Sequence, residues 1–276
     1  MSTLQEKIIT TQPWALVTGA SSGIGYELAR TLDAHGYQLV LVARRADRLE
    51  ELQAKLENAS YICVADLRTC EGMQSVYDFC LSKKVAVDIL VNNAGFGHNG
   101  DFKDEPLETA QQMIQVNITA LVTLTKLFLP QMLKRKRGHI VQMSSAASFF
   151  AGPLMANYYA TKAYVTSFSR ALAYEVQPFN VFVTAVCPGP VHTEFGAIAK
   201  AGSSRILKDK VTTPSEIAQF TWKAVQKKKT VAVHGMIFSF FITLSRLLPA
   251  SLIIRFTALL NKTKPRIGLD SLGEKS

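Results

Sequence analysis

The sequence feature that most constrains the fold is a regular alternation of short, β-branched apolar runs with longer helical segments. The apolar runs are Trp14–Thr18, Gln38–Ala43, Tyr61–Val64, Asp88–Asn92, His139–Met143, Val181–Val186 and Thr230–Val233. The helical segments are Ile24–His35, Ala46–Asn58, Cys70–Lys83, Leu107–Arg137, Ala156–Gln177 and Pro214–Lys227. Because the runs are apolar on both faces, helices should cover them on both sides. The alternation predicts a doubly wound α/β Rossmann fold with a seven-stranded parallel sheet.

We expect a single domain over residues 1–235, because no linker rich in Pro, Ser or Gly and no internal repeat divides it. The long connection at about residues 190–212 is typical of a binding loop, and we expect it to border the substrate. Hydrophobic residues make up 48% of the chain and charged residues 19%, which excludes a disordered or fibrous protein. The four cysteines form no C-x-x-C pair and the five histidines are scattered, so no metal site is expected.

A glycine-rich turn, Thr18-Gly19-Ala20-Ser21-Ser22-Gly23-Ile24-Gly25, follows the first strand and precedes a helix. Glycines let the backbone approach a pyrophosphate closely, and the amides at the helix N-terminus favour an anion. The turn therefore predicts a dinucleotide site. Its candidate binding residues are Gly19, Ser21, Ser22, Gly23, Ile24 and Gly25.

This octapeptide resembles the cofactor motif of the classical short-chain dehydrogenase/reductase family. The resemblance continues, in the family's order and over about residues 12–235, through Asn92-Asn93-Ala94-Gly95, Asn117, Ser144-Ser145, Tyr158-x-x-x-Lys162, Pro188-Gly189 and Thr193. It implies hydride transfer between a nicotinamide cofactor and a carbonyl or secondary alcohol. It also implies a catalytic set of Asn117, Ser145, Tyr158 and Lys162.

The four-residue spacing of Tyr158 and Lys162 puts both side chains on one face of a helix. A nearby ammonium favours phenolate, so we expect the Tyr158 pKa to fall below its usual value of about 10. Tyr158 is then a general acid for reduction or a general base for oxidation. Tyr159 is the rival acid, but Ala163 stands four residues later. The alternative interpretation is a Tyr and a Lys on the surface of an amphipathic helix.

The resemblance assigns further roles. Lys162 holds the nicotinamide ribose, Ser145 binds the substrate oxygen in preference to Ser144, and Asn117 supports a water relay to Lys162. Among the cofactor contacts, Asp66 meets the adenine, Asn92 lies beside the adenosine and Thr193 meets the nicotinamide amide. The remaining cofactor-binding candidates are Asn93, Tyr158, Pro188 and Gly189.

The cofactor type is indicated by Val42-Ala43-Arg44-Arg45 at the end of the second strand. NAD sites place a carboxylate here to accept the ribose hydroxyls. Arg44 stands in its place with Arg45 beside it, and guanidinium groups pair with phosphate. The sequence therefore predicts NADP(H) and makes residues 1–235 an NADP-binding catalytic domain. The alternative is a pair of solvated arginines that open the helix at Ala46.

The tail, residues 236–276, is apolar with basic flanks, and Pro249 should divide it into two short helices. Residues 223–276 hold ten basic and two acidic side chains, which is +8 of the net charge of +10. This placement favours a lipid surface or a partner over nucleic acid. The tail is expected to lie on a membrane, over the substrate mouth or against a partner subunit. A helix pair that completes the core or a dimer interface is an equal alternative.

The sequence therefore predicts an NADP(H)-dependent reductase (EC 1.1.1.-) of a hydrophobic ketone, such as a 3-oxoacyl chain, a steroid-like ketone or a retinoid. The alternatives are an oxidising hydroxysteroid or alcohol dehydrogenase, and a non-catalytic nucleotide-binding scaffold. We expect a homo-oligomer, a dimer or a tetramer. The polar N-terminus and the absence of an apolar run of about 20 residues predict a cytoplasmic protein, with peripheral attachment to a membrane surface as a further expectation.

Overall fold

Seven strands form one parallel sheet in the computed structural model, which describes residues 12–194, 212–245 and 247–262. Their bounds are β1 Trp14–Thr18, β2 Gln38–Ala43, β3 Ser60–Val64, β4 Val87–Asn92, β5 Gly138–Met143, β6 Val181–Cys187 and β7 Val231–Val233. The strand order β3-β2-β1-β4-β5-β6-β7 confirms the predicted doubly wound topology. Residues 195–211 of the predicted substrate loop and residues 263–276 of the tail lie outside the described residues.

Helices cover both faces of the sheet, because alternate strand residues point in opposite directions. The helix bounds are α1 Gly23–Ala34, α2 Ala46–Gln53, α3 Cys70–Ser82, α4 Leu107–Ile114, α5 Leu121–Arg135, α6 Ala156–Val176, α7 Pro214–Gln226, α8 Met236–Ser245 and α9 Ala250–Asn261. Leu16 packs with the core that includes α3, α5 and α6, whereas Ala15 and Val17 pack with the core that includes α1, α2 and α7.

Helix α2 ends at Gln53, five residues before the predicted end at Asn58. The buried Asp33 explains the difference. Its carboxylate accepts hydrogen bonds from the backbone amides of Glu57, at 3.0 Å, and Asn58, at 2.9 Å. These amides are therefore bound outside a helix, and the chain turns into β3.

The predicted helix Leu107–Arg137 consists of α4, a π-helical turn at Gln115–Ala120 and α5. It ends where Lys136 takes a left-handed conformation with φ of 50°. Among the described residues, the stretch Leu107–Arg135 is long and apolar enough to cross a bilayer, judged by length and composition. Its residues Phe128 and Met132 are buried in the core. Packing against the sheet therefore accounts for its apolar character.

The sheet order places a crevice beside β1, which pairs with β2 on one side and β4 on the other. Chain connections run in opposite directions from this point, and ligands of open α/β sheets bind at the carboxyl ends of the strands there. The glycine turn, the arginine pair and the segments that begin at Asn93, Ser145 and Pro188 each follow a strand at this edge.

The tail forms two short helices, as predicted, and Pro249 immediately precedes α9. The rings of Phe241 and Phe256 stack with their centroids 6.1 Å apart, so the two helices contact each other. Ile242 is buried, and Phe238 lies against Gly189 after β6. The tail helices therefore pack on the carboxyl edge of the sheet, beside the segments that carry the candidate site.

Candidate active site

The glycine turn is as tight as its sequence predicts. Gly19 and Gly23 have φ of 66° and 57°, a region that favours glycine. A β-carbon on Gly25 would lie 2.3 Å from the Gly19 carbonyl oxygen, closer than atoms can approach. The first turn of α1 carries no acidic residue, so no side chain of that turn brings a carboxylate to its amides. The turn has the form of a pyrophosphate cradle.

Hydrogen bonds join this turn to the segment after β4. Thr18 Oγ1 accepts from the backbone amides of Asn93, at 2.9 Å, and Ala94, at 3.0 Å. Asn93 Nδ2 donates to the Thr18 carbonyl at 2.9 Å. Asn93 therefore lies at the crevice.

The preceding residue, Asn92, points away from the crevice. Its side chain is buried and donates to Thr125 Oγ1 at 3.1 Å and to Gln142 Oε1 at 3.0 Å. The interpretation of Asn92 as the residue beside an adenosine does not fit this position. Strand alternation is the cause, since consecutive residues face opposite ways.

The arginine pair stands at the rim of the crevice, and both side chains are exposed. The Arg45 guanidinium donates to Ser21 Oγ at 3.2 Å and to Glu194 Oε2 at 3.0 Å. The hydrogen bond from Arg45 holds the Glu194 pKa below its usual value. The local sequence gives no sign that Glu194 pairs with Arg45, because 149 residues separate the two partners.

Asp66, which follows β3, accepts a hydrogen bond from Arg68, two residues later. Arg68 Nε donates to Asp66 Oδ2 at 2.9 Å, and this hydrogen bond lowers the Asp66 pKa, with a smaller contribution from the charge of Arg44. Thr193 reaches the glycine turn, since its Cγ2 lies 3.1 Å from where a β-carbon of Gly23 would stand. The Pro188 carbonyl accepts from the Ala146 amide at 2.8 Å.

The two serines after β5 have different environments. Ser144 is buried, donates to the Lys162 carbonyl at 3.0 Å and shares a hydrogen bond with Thr166 Oγ1 at 2.7 Å. Ser144 thus ties α6 to the sheet. Ser145 accepts from the Ala147 amide at 3.1 Å and is hydrogen-bonded to Tyr158. Ser145 is therefore the serine that meets the tyrosine.

Tyr158 and Lys162 lie together, as their spacing predicts, with Lys162 Nζ 5.8 Å from the centre of the tyrosine ring. The expected lowering of the Tyr158 pKa is wrong for this structure. Burial of the phenol raises the pKa to about 12, and the hydrogen bond with Ser145 offsets this in part. Burial also lowers the Lys162 pKa to about 8. Loss of hydration on burial is the largest cause of both shifts.

Lys162 is fixed from behind, since Nζ donates to the Met143 carbonyl at 2.8 Å. Asn117 is buried in the π-helical turn, its Oδ1 accepts from the Phe96 amide at 3.0 Å, and its Nδ2 donates to Thr161 Oγ1 at 3.1 Å. Asn117 therefore connects the segment after β4 to α6. A π-helical turn within an α-helix is frequent at functional sites.

A sequence model of the short chain dehydrogenases matches residues 13–203. The chain belongs to the short-chain dehydrogenase family. Dehydrogenase/reductase SDR family member 7B of Xenopus laevis is 32% identical over 250 residues, which cover 85% of this chain and 77% of that protein. Very-long-chain 3-oxoacyl-CoA reductase of Pyrenophora tritici-repentis is 36% identical over 198 residues, or 69% of this chain and 58% of that protein.

Solved structures of the family superpose on this fold. A short-chain dehydrogenase from Sphingobium yanoikuyae, in complex with NADPH, matches with a TM-score of 0.75 and 29% identity. The match covers 85% of this chain and 94% of that one. The predicted family and the predicted fold class are thus confirmed. Across the described residues, no three His, Cys, Asp or Glu side chains lie close enough to hold a metal ion.

The contacts that α9 makes at the site of this short-chain dehydrogenase were not predicted from the sequence. Asn261 Oδ1 accepts from the Tyr159 hydroxyl at 3.2 Å, and Asn261 Nδ2 donates to the Pro153 carbonyl at 3.0 Å. Thr257 Oγ1 donates to the Ala151 carbonyl at 2.7 Å. The segment between Ser145 and Tyr158 is thus bound by the tail. The local sequence carried no signal of these pairings, which span more than a hundred residues.

Proposed function

We propose that this protein is an NADP(H)-dependent oxidoreductase that reduces a hydrophobic ketone. The observation that carries the proposal is the meeting of Ser145, Tyr158 and Lys162 in one corner of the crevice. Ser145 is hydrogen-bonded to Tyr158, and the Lys162 ammonium lies 5.8 Å from the centre of the same ring. A hydrogen-bond donor, a proton donor and a cation are the groups that carbonyl reduction requires.

The glycine turn and the arginine pair support the choice of cofactor. The absence of a β-carbon at Gly25, where one would meet the Gly19 carbonyl, leaves the α1 amides open to a pyrophosphate. Arg44 and Arg45 would hold the ribose phosphate, and Ser21 already orients Arg45. The structure of the Sphingobium relative in complex with NADPH adds support. By the same proposal Asp66, Asn93, Pro188, Gly189 and Thr193 line the remainder of the cofactor site.

In the proposed mechanism, Ser145 donates a hydrogen bond to the substrate carbonyl oxygen, and Tyr158 transfers its phenolic proton to that oxygen. Bound NADPH supplies the hydride that the carbonyl carbon receives. The raised pKa of Tyr158 keeps the phenol protonated at neutral pH, which suits a general acid. The Lys162 charge stabilises the phenolate that remains, and Asn117 holds the Phe96 segment beside α6.

The apolar tail beside the site favours a hydrophobic substrate, and the fungal relative named as a 3-oxoacyl-CoA reductase favours a 3-oxoacyl chain. The second candidate function is oxidation of a hydroxysteroid or another alcohol, since the same residues catalyse the reverse reaction. We further propose that residues 1–235 form the catalytic unit and residues 236–276 the tail.

The test is NADPH oxidation on a panel of carbonyls graded by chain length and ring content. Tyr158→Phe should lower kcat/KM by about 10²–10⁴-fold, because it removes the proton donor. Tyr159→Phe is the matched control, and it should retain most of the activity. A folded protein that turns over none of the carbonyls, or a Tyr158→Phe variant with unchanged turnover, would refute the proposal and favour a non-catalytic scaffold.

A further inference from the structure

Large apolar side chains are exposed on the two tail helices and on the turn between them. We call six of them, on α8, the turn after it and α9, the tail surface: Met236, Ile237, Phe240, Leu247, Leu252 and Leu259. Met236 and Leu247 are 91% and 81% exposed. Exposed apolar side chains concentrated on one pair of helices in this way mark an interaction site.

The opposite side of the same helices is fixed to the catalytic domain. Phe238 lies against Gly189, Thr257 binds the Ala151 carbonyl, and Asn261 binds Tyr159 and the Pro153 carbonyl. The tail surface is therefore a fixed part of the molecule. It lies on the outer side of the helices that border the candidate site.

The charges around the tail surface select its partner. The sequence from residue 217 to residue 269 contains no Asp or Glu. Among the described residues of the tail, Arg255 is exposed on α9, and the exposed Lys262 follows that helix. An apolar surface on helices that carry cations and no acidic residue complements an anionic lipid headgroup region.

A second copy of this chain fits the patch less well. A two-fold symmetric interface pairs one patch with the same patch, so the cations of the two copies would face each other. Like charges across an interface oppose association. Helices of 10 and 12 residues are about 15 and 18 Å long, well short of a bilayer core of about 30 Å. They suit a position in the plane of the interface.

We propose that the tail surface docks the protein on an anionic bilayer and brings the substrate side of the site to the lipid. This substrate-delivery part rests on the proposed function, because it makes the substrate a carbonyl compound dissolved in the membrane. The docking part stands on the exposed side chains, the charges and the lengths of the two helices.

The test is flotation of the full-length protein with phosphatidylcholine vesicles, with and without phosphatidylserine. The wild type should float with the anionic vesicles, and added salt should weaken its binding. The double variant Phe240→Asp/Leu252→Asp should bind at least tenfold more weakly, because it places two charges in the apolar layer. Leu81→Asp is the matched control, since Leu81 is 49% exposed on α3, and it should bind as the wild type does.

A second variant, Arg255→Gln/Lys262→Gln, leaves the apolar side chains intact and should lose the preference for anionic vesicles by about tenfold or more. It keeps the test decisive if the aspartate variant does not fold. Failure of the wild type to float, or equal flotation of all variants, overturns docking. A wild-type dimer that the aspartate variant cannot form, with no flotation of either, assigns the surface to a second copy instead.

Turnover separates this proposal from the proposed function. Anionic vesicles should stimulate reduction of a long-chain ketone but leave reduction of a water-soluble ketone unchanged. Flotation without turnover of any carbonyl would refute the proposed function and retain docking. Turnover without flotation would refute docking and retain the proposed function.

Discussion

Lys162 brings a charge into the interior of the protein, and burial lowers its pKa to about 8. Its ammonium donates to the Met143 carbonyl and lies beside Tyr158. A buried lysine is costly for folding, because the charged form loses hydration that one hydrogen bond only partly replaces. The site therefore holds a residue that suits the proposed chemistry better than it suits stability.

Replacement of Lys162 by an apolar residue tests whether the buried charge lowers stability while it supports activity. Lys162→Met should raise the free energy of unfolding at pH 7 by about 2 kcal/mol, the cost of a pKa lowered by burial less a hydrogen bond. The same variant should lose the activity. Urea unfolding measures the first effect and NADPH oxidation the second. Lys126→Met, at an exposed lysine of α5, is the control and should change stability by less than about 0.5 kcal/mol.

The pH dependence of this difference has a defined sign. Below about pH 8, Lys162 is protonated in both the folded and the unfolded state, so the wild type bears the whole cost of burial. Between about pH 8 and its ordinary pKa of 10.5, the folded state has lost a proton that the unfolded state keeps. The stability advantage of Lys162→Met should shrink over this interval. A constant advantage would contradict the burial explanation.

At the level of elements, α9 connects the tail to the segment that precedes the candidate tyrosine. Asn261 makes two side-chain hydrogen bonds there, and its carbonyl accepts from Asn99 Nδ2 at 3.0 Å. The Gly100 amide in turn donates to the Leu154 carbonyl at 2.8 Å. Leu154 has φ of 67°, a conformation rare for leucine. Contacts from two sides hold this segment in place.

Asn261→Ala should loosen this segment. We expect the free energy of unfolding to fall by about 1–2 kcal/mol, because two hydrogen bonds are lost. KM for the ketone should rise, while the Kd for NADPH stays unchanged, since the hydrogen bonds of Asn261 go to Asn99, Pro153 and Tyr159 and not to the glycine turn. Tyr159→Phe removes one of the two bonds and should give a smaller change in the same direction. Equal changes in KM and in the NADPH Kd would argue against a role confined to the substrate side.

On the scale of the whole molecule, charge is unevenly distributed. Residues 1–222 carry +2 of the net charge of +10, since residues 223–276 carry +8. The catalytic domain therefore carries little net charge, and a positive site on it depends on Arg44 and Arg45. Binding of a ligand at the Arg44 and Arg45 site should raise the free energy of unfolding, because a ligand that binds only the folded state stabilises it.

NADPH should therefore raise the thermal midpoint of the wild type more than NADH does at equal concentration. At about 100 times the Kd, the stabilisation is about 2.7 kcal/mol. Arg44→Asp should reverse the preference, because a carboxylate repels the ribose phosphate and accepts from ribose hydroxyls. Arg30→Asp makes the same change of charge on α1 and should leave the preference as in the wild type. An unchanged preference in Arg44→Asp would remove the arginine from the cofactor site.

Local sequence predicts all seven strands to within one residue, since continuous apolar runs are compatible with a sheet that is covered on both faces. The capping box of α7, in which Thr213 and Glu216 make reciprocal hydrogen bonds, likewise follows from the local pattern Thr-x-x-Glu. These features depend on neighbours in the chain. They could be predicted because the physical cause and the residues lie in one segment.

Tertiary structure alone decided what depends on distant neighbours. It ended α2 at Gln53 through Asp33, and it turned Asn92 into the core while Asn93 stayed at the crevice. It also raised the Tyr158 pKa instead of lowering it. Burial and long-range hydrogen bonds are set by how the whole chain packs, whereas spacing along the sequence says only which residues can meet.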